Sequence, residues 1–208
     1  MQTVTQTNFF RALIGVFIST GLFFSVSASA VKTGQTASAF TLSDGNGKTF
    51  SLSDYRGKHV VLEWYNKDCP FVRKHYDTKN MQDLQKKYTA KGVVWLTIVS
   101  SAKGKEGFLT PETAKATLKR ENAAMTAVLV DANGTVGKLY GATATPNMFV
   151  INGEQKLVYA GAIDDKPTAE KADVKTAKNY VAQALDESMA GKPVTEAATV
   201  AYGCGVKY

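Results

Sequence analysis

An apolar run from Val60 to Tyr65 leads into a polar turn, Asn66-Lys67-Asp68. Cys69-Pro70 follows, with helical spacing to about Lys87. This stretch most limits what the chain can become. The apolar run predicts a buried strand. Proline is favoured at the first position of a helix, so Pro70 predicts a helix that begins there. The Cys69 sulfur then lies at a helix N-terminus, where unpaired backbone N–H groups and the helix dipole stabilise a thiolate. A strand that delivers a cysteine to such a place implies a reactive thiol. The inert alternative is a cysteine held in a structural disulfide.

The arrangement resembles the thioredoxin-like superfamily, and most closely its redoxin branch of alkyl hydroperoxide reductase/thiol-specific antioxidant-like proteins, over roughly residues 34–190. Asn66, Cys69-Pro70-Phe71-Val72 and Lys74-His75-Tyr76, with a closing Gly203-Cys204-Gly205-Val206-Lys207-Tyr208, are similar to a peroxiredoxin-like subgroup. Phe40, Leu42, Gly47, Leu52, Asp54, Gly57 and Lys58 match a redoxin-like opening. Two features depart from better-known relatives. Val72 stands where a thioredoxin has its second cysteine, and Leu62 and Asn66 hold the Pro and Thr positions of a true peroxiredoxin.

The resemblance implies an α/β, thioredoxin-like fold: a central mixed β-sheet flanked by helices, with an N-terminal β-hairpin extension. A proline just before the apolar run Met148-Phe-Val-Ile151 is out of place by propensity. The resemblance implies that Thr145-Pro146 is cis and faces Cys69. It also implies that the Thr145 backbone is free to bind an extended substrate chain, with Pro70 and Phe71 beside it. Arg73, one helical turn past Cys69, is placed to help hold an anionic sulfur. His75 lies six residues on, about 120° round the helix, and is expected at the surface or partly buried. The peroxide-binding arginine of true peroxiredoxins has no counterpart between Thr145 and Asn152. Copper carriage of the redoxin-like chaperone kind needs a second cysteine where Arg73 stands, so no metal site is assigned and a copper carrier is kept only as a minor alternative.

The chain's start bears on how its cysteines are read. Arg11, an apolar stretch from Ala12 to Phe24 and Ala28-Ser29-Ala30 match a cleavable signal peptide. The stretch is shorter than the roughly 20 residues a membrane-spanning helix needs. Residues 1–30 are therefore expected to be removed, leaving a protein from Val31 that is periplasmic or secreted and has no membrane span. Disulfides persist in such compartments. Both cysteines, Cys69 and Cys204, lie in the retained part, 135 residues apart. The formal charge of +7 is spread in lysines along the chain, without the basic stripe that nucleic-acid binding requires.

The remaining pattern divides the chain into residues 31–192, a redoxin domain, and 193–208, a C-terminal arm carrying Cys204. Ala39–Leu42 and Lys48–Leu52 read as a hairpin about Asp44-Gly-Asn-Gly47. Gly92–Val99 reads as a buried parallel-type strand. Ser100–Thr110 reads as a loop that borders a site, and Thr110-Pro111 opens a helix to about Asn122. Ala169–Ala190 reads as the last helix, with Val174, Ala177, Val181, Ala184 and Leu185 as its core stripe. Glycines flank Cys204 and give its backbone freedom to swing or to approach closely.

Together these readings describe an exported thiol–disulfide oxidoreductase or peroxiredoxin-like antioxidant protein. Cys69 is the redox nucleophile and Cys204 the resolving cysteine, and the thiols suffice without a cofactor. The partners are a protein or small-molecule thiol or disulfide, or a peroxide. The competing class is a non-enzymatic binding module in which a fixed Cys69–Cys204 bond staples the arm.

Overall fold

The structure, a computed structural model, describes residues 1–3 and 30–208. The signal-peptide reading rests on Arg11 to Ser29, which lie outside that range, and on Ala30. The first strands are β1 (Thr41–Asp44), β2 (Thr49–Ser51) and β3 (Val60–Trp64), and the helix behind Cys69 is α1 (Pro70–Asp77). Then come α2 (Asn80–Thr89), β4 (Val94–Val99), α3 (Pro111–Glu121), β5 (Ala127–Val130) and α4 (Thr135–Tyr140). The last elements are β6 (Ala144–Thr145), β7 (Asn147–Ile151), β8 (Leu157–Gly161), α5 (Tyr180–Met189) and β9 (Cys204–Gly205).

Seven strands form one mixed sheet in the order β2-β1-β5-β4-β3-β7-β8. β3 runs parallel to β4 and antiparallel to β7, so the strand before Cys69 is paired on both edges. The expected hairpin adds itself to the sheet through β1 and β5. Successive side chains of β3 point to opposite faces, which gives the chain two cores. Val61 and Tyr65 pack with Cys69, Val72, Tyr76, Met81 and Leu185 on the α1, α2 and α5 side. Val60, Leu62 and Trp64 pack with Phe40, Phe50, Val136 and Tyr140 on the α4 side.

Two helices differ from expectation. The helix after Pro70 does not run unbroken to Lys87. The Thr78 hydroxyl donates back to the Lys74 carbonyl at 2.7 Å, Lys79 turns left-handed at φ 63°, and α2 starts afresh at Asn80. A threonine that bonds its own preceding turn competes with continuation of the helix. The last helix is likewise shorter. Lys171–Lys175 forms a 3-10 turn, and Asn179 caps α5 by accepting the Ala182 N–H at 2.8 Å. Val181, Ala184 and Leu185 are buried as expected, whereas Val174 and Ala177 precede α5 and stay outside the core.

Candidate active site

Cys69 is the N-cap of α1, with extended backbone (φ −75°, ψ 124°), and Pro70 opens the helix. Its side chain is fully buried. The thiol donates to the Thr145 carbonyl, Sγ to O 3.1 Å. The Thr145-Pro146 peptide bond is cis, so the expected cis-proline and the cysteine meet.

The Thr145 edge is not free, contrary to expectation. The arm returns to it as β9, which pairs antiparallel with β6: Thr145 opposite Cys204 and Ala144 opposite Gly205. The Thr145 hydroxyl donates to the Cys204 carbonyl at 3.3 Å, and the Val206 N–H donates to the Thr143 carbonyl at 3.1 Å. Cys204 is partly exposed, and both cysteines are free thiols. Burial pushes the Cys204 thiol up to about 12, with the neighbouring Cys69 and the charge of Glu106 adding to it.

Gly203 serves close approach rather than swing. Its φ is +137°, and a Cβ there would stand 2.0 Å from the Thr145 carbonyl oxygen. The arm is anchored on each side of it. Thr199 Oγ1 accepts the Ala162 N–H at 2.9 Å, close to Gly161, where a Cβ would lie 2.2 Å from the same hydroxyl. The Tyr202 hydroxyl donates to Asp164, and Phe71 meets the Tyr202 ring edge-on at 5.9 Å. The Lys207 carbonyl accepts the Ala102 N–H at 2.7 Å. The Tyr208 ring lies over Gly134 and Gly137, and its hydroxyl donates to the Ala142 carbonyl at 2.7 Å.

Of the residues expected at the site, Cys69, Cys204, Thr145 and Pro146 come together. Phe71 touches the arm through Tyr202, and Pro70 is exposed at the start of α1. Arg73 is turned elsewhere. Its Nε donates to Asp77 at 3.1 Å, its Nη1 to Glu121 at 2.8 Å, and its Nη2 to Asp77 at 2.8 Å and Glu121 at 3.1 Å. All three nitrogens serve carboxylates, so the thiolate-holding role read from the helical spacing is not the one this geometry gives it. Glu121 in turn accepts the Tyr65 hydroxyl at 2.7 Å.

His75 is fully buried, not at the surface. It lies against Asp164 (Nε2 to Oδ2 3.9 Å), Asn80 and Tyr202, and desolvation lowers its pKa to about 4. Lys74, also fully buried, donates to the Lys166 carbonyl at 2.8 Å and stands 3.6 Å from Asp164. Glu63 was missed from the sequence. It sits at 0 % exposure on the Cys69 side of β3. Four groups donate to it: Tyr76 (2.7 Å), Trp95 (2.8 Å), Thr97 (3.1 Å) and Gln85 (3.2 Å). Burial raises its pKa against the pull of those four bonds. One charged residue inside an apolar run was its signal. The Ser100–Thr110 loop does border the site: Asn66 donates to Glu106 at 2.9 Å, and Gly107 packs against the Asn66 amide.

A cysteine at a helix N-terminus, opposite a cis-proline and on a mixed sheet of this order, defines a thioredoxin-like α/β protein. The chain belongs to the AhpC/TSA family, which it matches over residues 33–160. It is 27% identical over 125 residues to the thiol-disulfide oxidoreductase ResA of Bacillus thuringiensis subsp. konkukian. That match covers 60% of this chain and 66% of the relative, so the chain spans just under two thirds of the curated relative's length. Among solved structures, the hypothetical protein SMc02350 of Sinorhizobium meliloti 1021 superposes with a TM-score of 0.72 at 26% identity, over 86% of this chain and 96% of that one. A putative thiol:disulfide interchange protein DsbE from Chlorobium tepidum gives a TM-score of 0.51 at 26% identity, over 63% and 85% of the two chains.

Proposed function

We propose that this protein is an exported thiol–disulfide oxidoreductase of the redoxin branch, with Cys69 and Cys204 as its redox pair. In this reading residues 1–30 are removed on export, residues 31–192 form the redoxin domain and residues 193–208 the arm. One observation carries it: the arm lays Cys204 on Thr145, the residue before the cis-proline, whose carbonyl accepts the Cys69 thiol at 3.1 Å. The names of the ResA and DsbE relatives support the reaction class.

The chemistry needs only the two sulfurs. An oxidant takes two electrons from Cys69. With a peroxide, the Cys69 thiolate attacks one oxygen, the O–O bond breaks, and an alcohol or water leaves a sulfenic acid on Cys69. The Cys204 thiol attacks that sulfur, water departs, and a Cys69–Cys204 disulfide remains. Outside thiols then reduce the disulfide through a mixed disulfide. The well-anchored arm also supports a competing reading, in which the same bond is a permanent staple of a binding module.

The test is mass spectrometry of the purified protein after peroxide or an oxidised dithiol, followed by a redox titration. An intramolecular Cys69–Cys204 bond is expected, together with arrest of the peroxide-treated Cys204→Ser variant at a Cys69 sulfenic acid. The potential should lie well above about −300 mV, the region below which structural disulfides fall. Failure to form the bond refutes the pair. A potential below that mark assigns the bond to the staple.

A further inference from the structure

The proposed pair raises the question of which sulfur an outside thiol meets when it reduces the disulfide. We propose that it meets Cys204, so that the arm is a tethered occupant of the partner edge and Cys69 exchanges with outside thiols only through it. This inference rests on the Cys69–Cys204 pair and specifies the class of reductant: a thiol that arrives end-on, on a small molecule or a protruding tip, without pairing its backbone to β6.

Access is the first argument. Cys69 has no exposed surface, whereas Cys204 is partly exposed and its neighbour Gly205 is exposed. Cys204 stands opposite Thr145 in the β6–β9 pair and the Cys69 thiol donates to the Thr145 carbonyl at 3.1 Å, so their oxidation to a bond of about 2.05 Å closes within one site. Cys69 stays covered through that change. The second argument is occupancy. An extended chain that sought Cys69 along Thr145 would need the hydrogen-bonding edge that β9 already fills. Gly203 presses so close to the Thr145 carbonyl that no second backbone fits between them.

The third argument concerns the leaving group. Exchange proceeds faster when the departing sulfur bears negative charge well. Attack at Cys204 places that charge on Cys69, at the N-terminus of α1. Attack at Cys69 would place it on Cys204, whose thiol is pushed up from its ordinary value by burial and by the charge of Glu106. Access and departure therefore favour the same direction.

The step balances as follows. A thiolate attacks Cys204 Sγ, the Cys69–Cys204 bond breaks, and its electron pair leaves on Cys69. A second partner thiol then attacks the partner's sulfur in the mixed disulfide. Cys204 departs and takes up a proton. The protein gains two electrons and two protons, and the partner leaves as a disulfide.

Oxidised full-length protein exposed briefly to glutathione tests this, with acid quench, N-ethylmaleimide labelling, digestion and mass spectrometry. Glutathione is expected on Cys204 and maleimide on Cys69, by at least tenfold over the reverse. Glutathione mainly on Cys69 overturns the inference. Starting material without the Cys69–Cys204 bond overturns the pair itself, and the two failures are thus separate. Single-cysteine variants supply a measure that needs no trapped adduct. Maleimide rates over a pH range, compared at full ionisation, should be at least tenfold higher for Cys204 in Cys69→Ser than for Cys69 in Cys204→Ser. Equal rates, or faster labelling of Cys69, overturn the inference as well.

Discussion

Replacing Gly203 with alanine should unlatch the arm without unfolding the domain. A Cβ at this position stands 2.0 Å from the Thr145 carbonyl oxygen and 2.7 Å from its carbon. Both are backbone atoms held in the β6–β9 pair, so they cannot swing aside as a side chain could. The φ of +137° adds backbone strain, which costs about 1–3 kcal/mol for a residue with a side chain. Overpacking against fixed atoms costs about 1–3 kcal/mol more. Together they disfavour the docked arm by about 2–6 kcal/mol, a shift of roughly 30-fold to 10⁴-fold at 1.4 kcal/mol per tenfold. The readout is maleimide labelling of Cys69 in the Cys204→Ser background, with and without Gly203→Ala. Labelling should speed up within that range, while far-UV circular dichroism stays unchanged. Identical labelling rates would refute the claim that the arm is what covers Cys69.

Further outcomes follow from the buried groups and the N-terminus. The Glu63 pKa is raised above its unfolded value, so its stabilising contribution is full below pH 4.5 and falls as pH rises through the folded pKa. Urea unfolding of Glu63→Gln should gain on the parent above that pH, by up to about 1.4 kcal/mol per pH unit within the window, and parallel pH curves would remove the assignment. His75 has the opposite sign: its pKa is lowered to about 4 from 6.5, so its contribution is full above 6.5 and is lost as pH falls toward 4. His75→Gln should flatten that arm of the stability curve, worth about 3 kcal/mol from the size of the shift; an unchanged slope between those pH values would count against it. Tyr202→Phe removes a hydrogen bond to a buried carboxylate, a contact worth about 1.5–3 kcal/mol, and should raise Cys69 labelling tenfold or more in the Cys204→Ser background. N-terminal sequencing of the exported protein should begin at Val31, and a retained Phe9–Phe24 stretch would defeat the export reading.

The parts legible in the sequence are those set by neighbours along the chain. Val60 to Pro70 announces strand, turn and helix start because each signal lies within a few residues of what it specifies. Thr110-Pro111 worked in the same way for α3. The cis bond at Pro146 came from family resemblance, since an isolated proline carries no isomer label. What was missed depends on partners far away. His75 is buried because Asp164 and Tyr202, 89 and 127 residues further on, close over it. Arg73 turns from the sulfur because Glu121 lies 48 residues on. β9 is two residues long, too short for any periodicity, and it exists because Gly203 can press against Thr145.

The sites that receive the arm have a consequence for biogenesis. They come from Ala142 to Thr145, Ala160 to Ala162, Gly134 and Asp164, so they exist only after the sheet and α4 have assembled. Residues 199–208 thus find their seat on a finished domain. With two cysteines the chain admits a single intramolecular disulfide, and scrambling among its own thiols cannot occur. A chain that closes the 135-residue loop between Cys69 and Cys204 has therefore completed its topology. Under the proposed pairing, formation of that bond would mark an arm that has reached its seat.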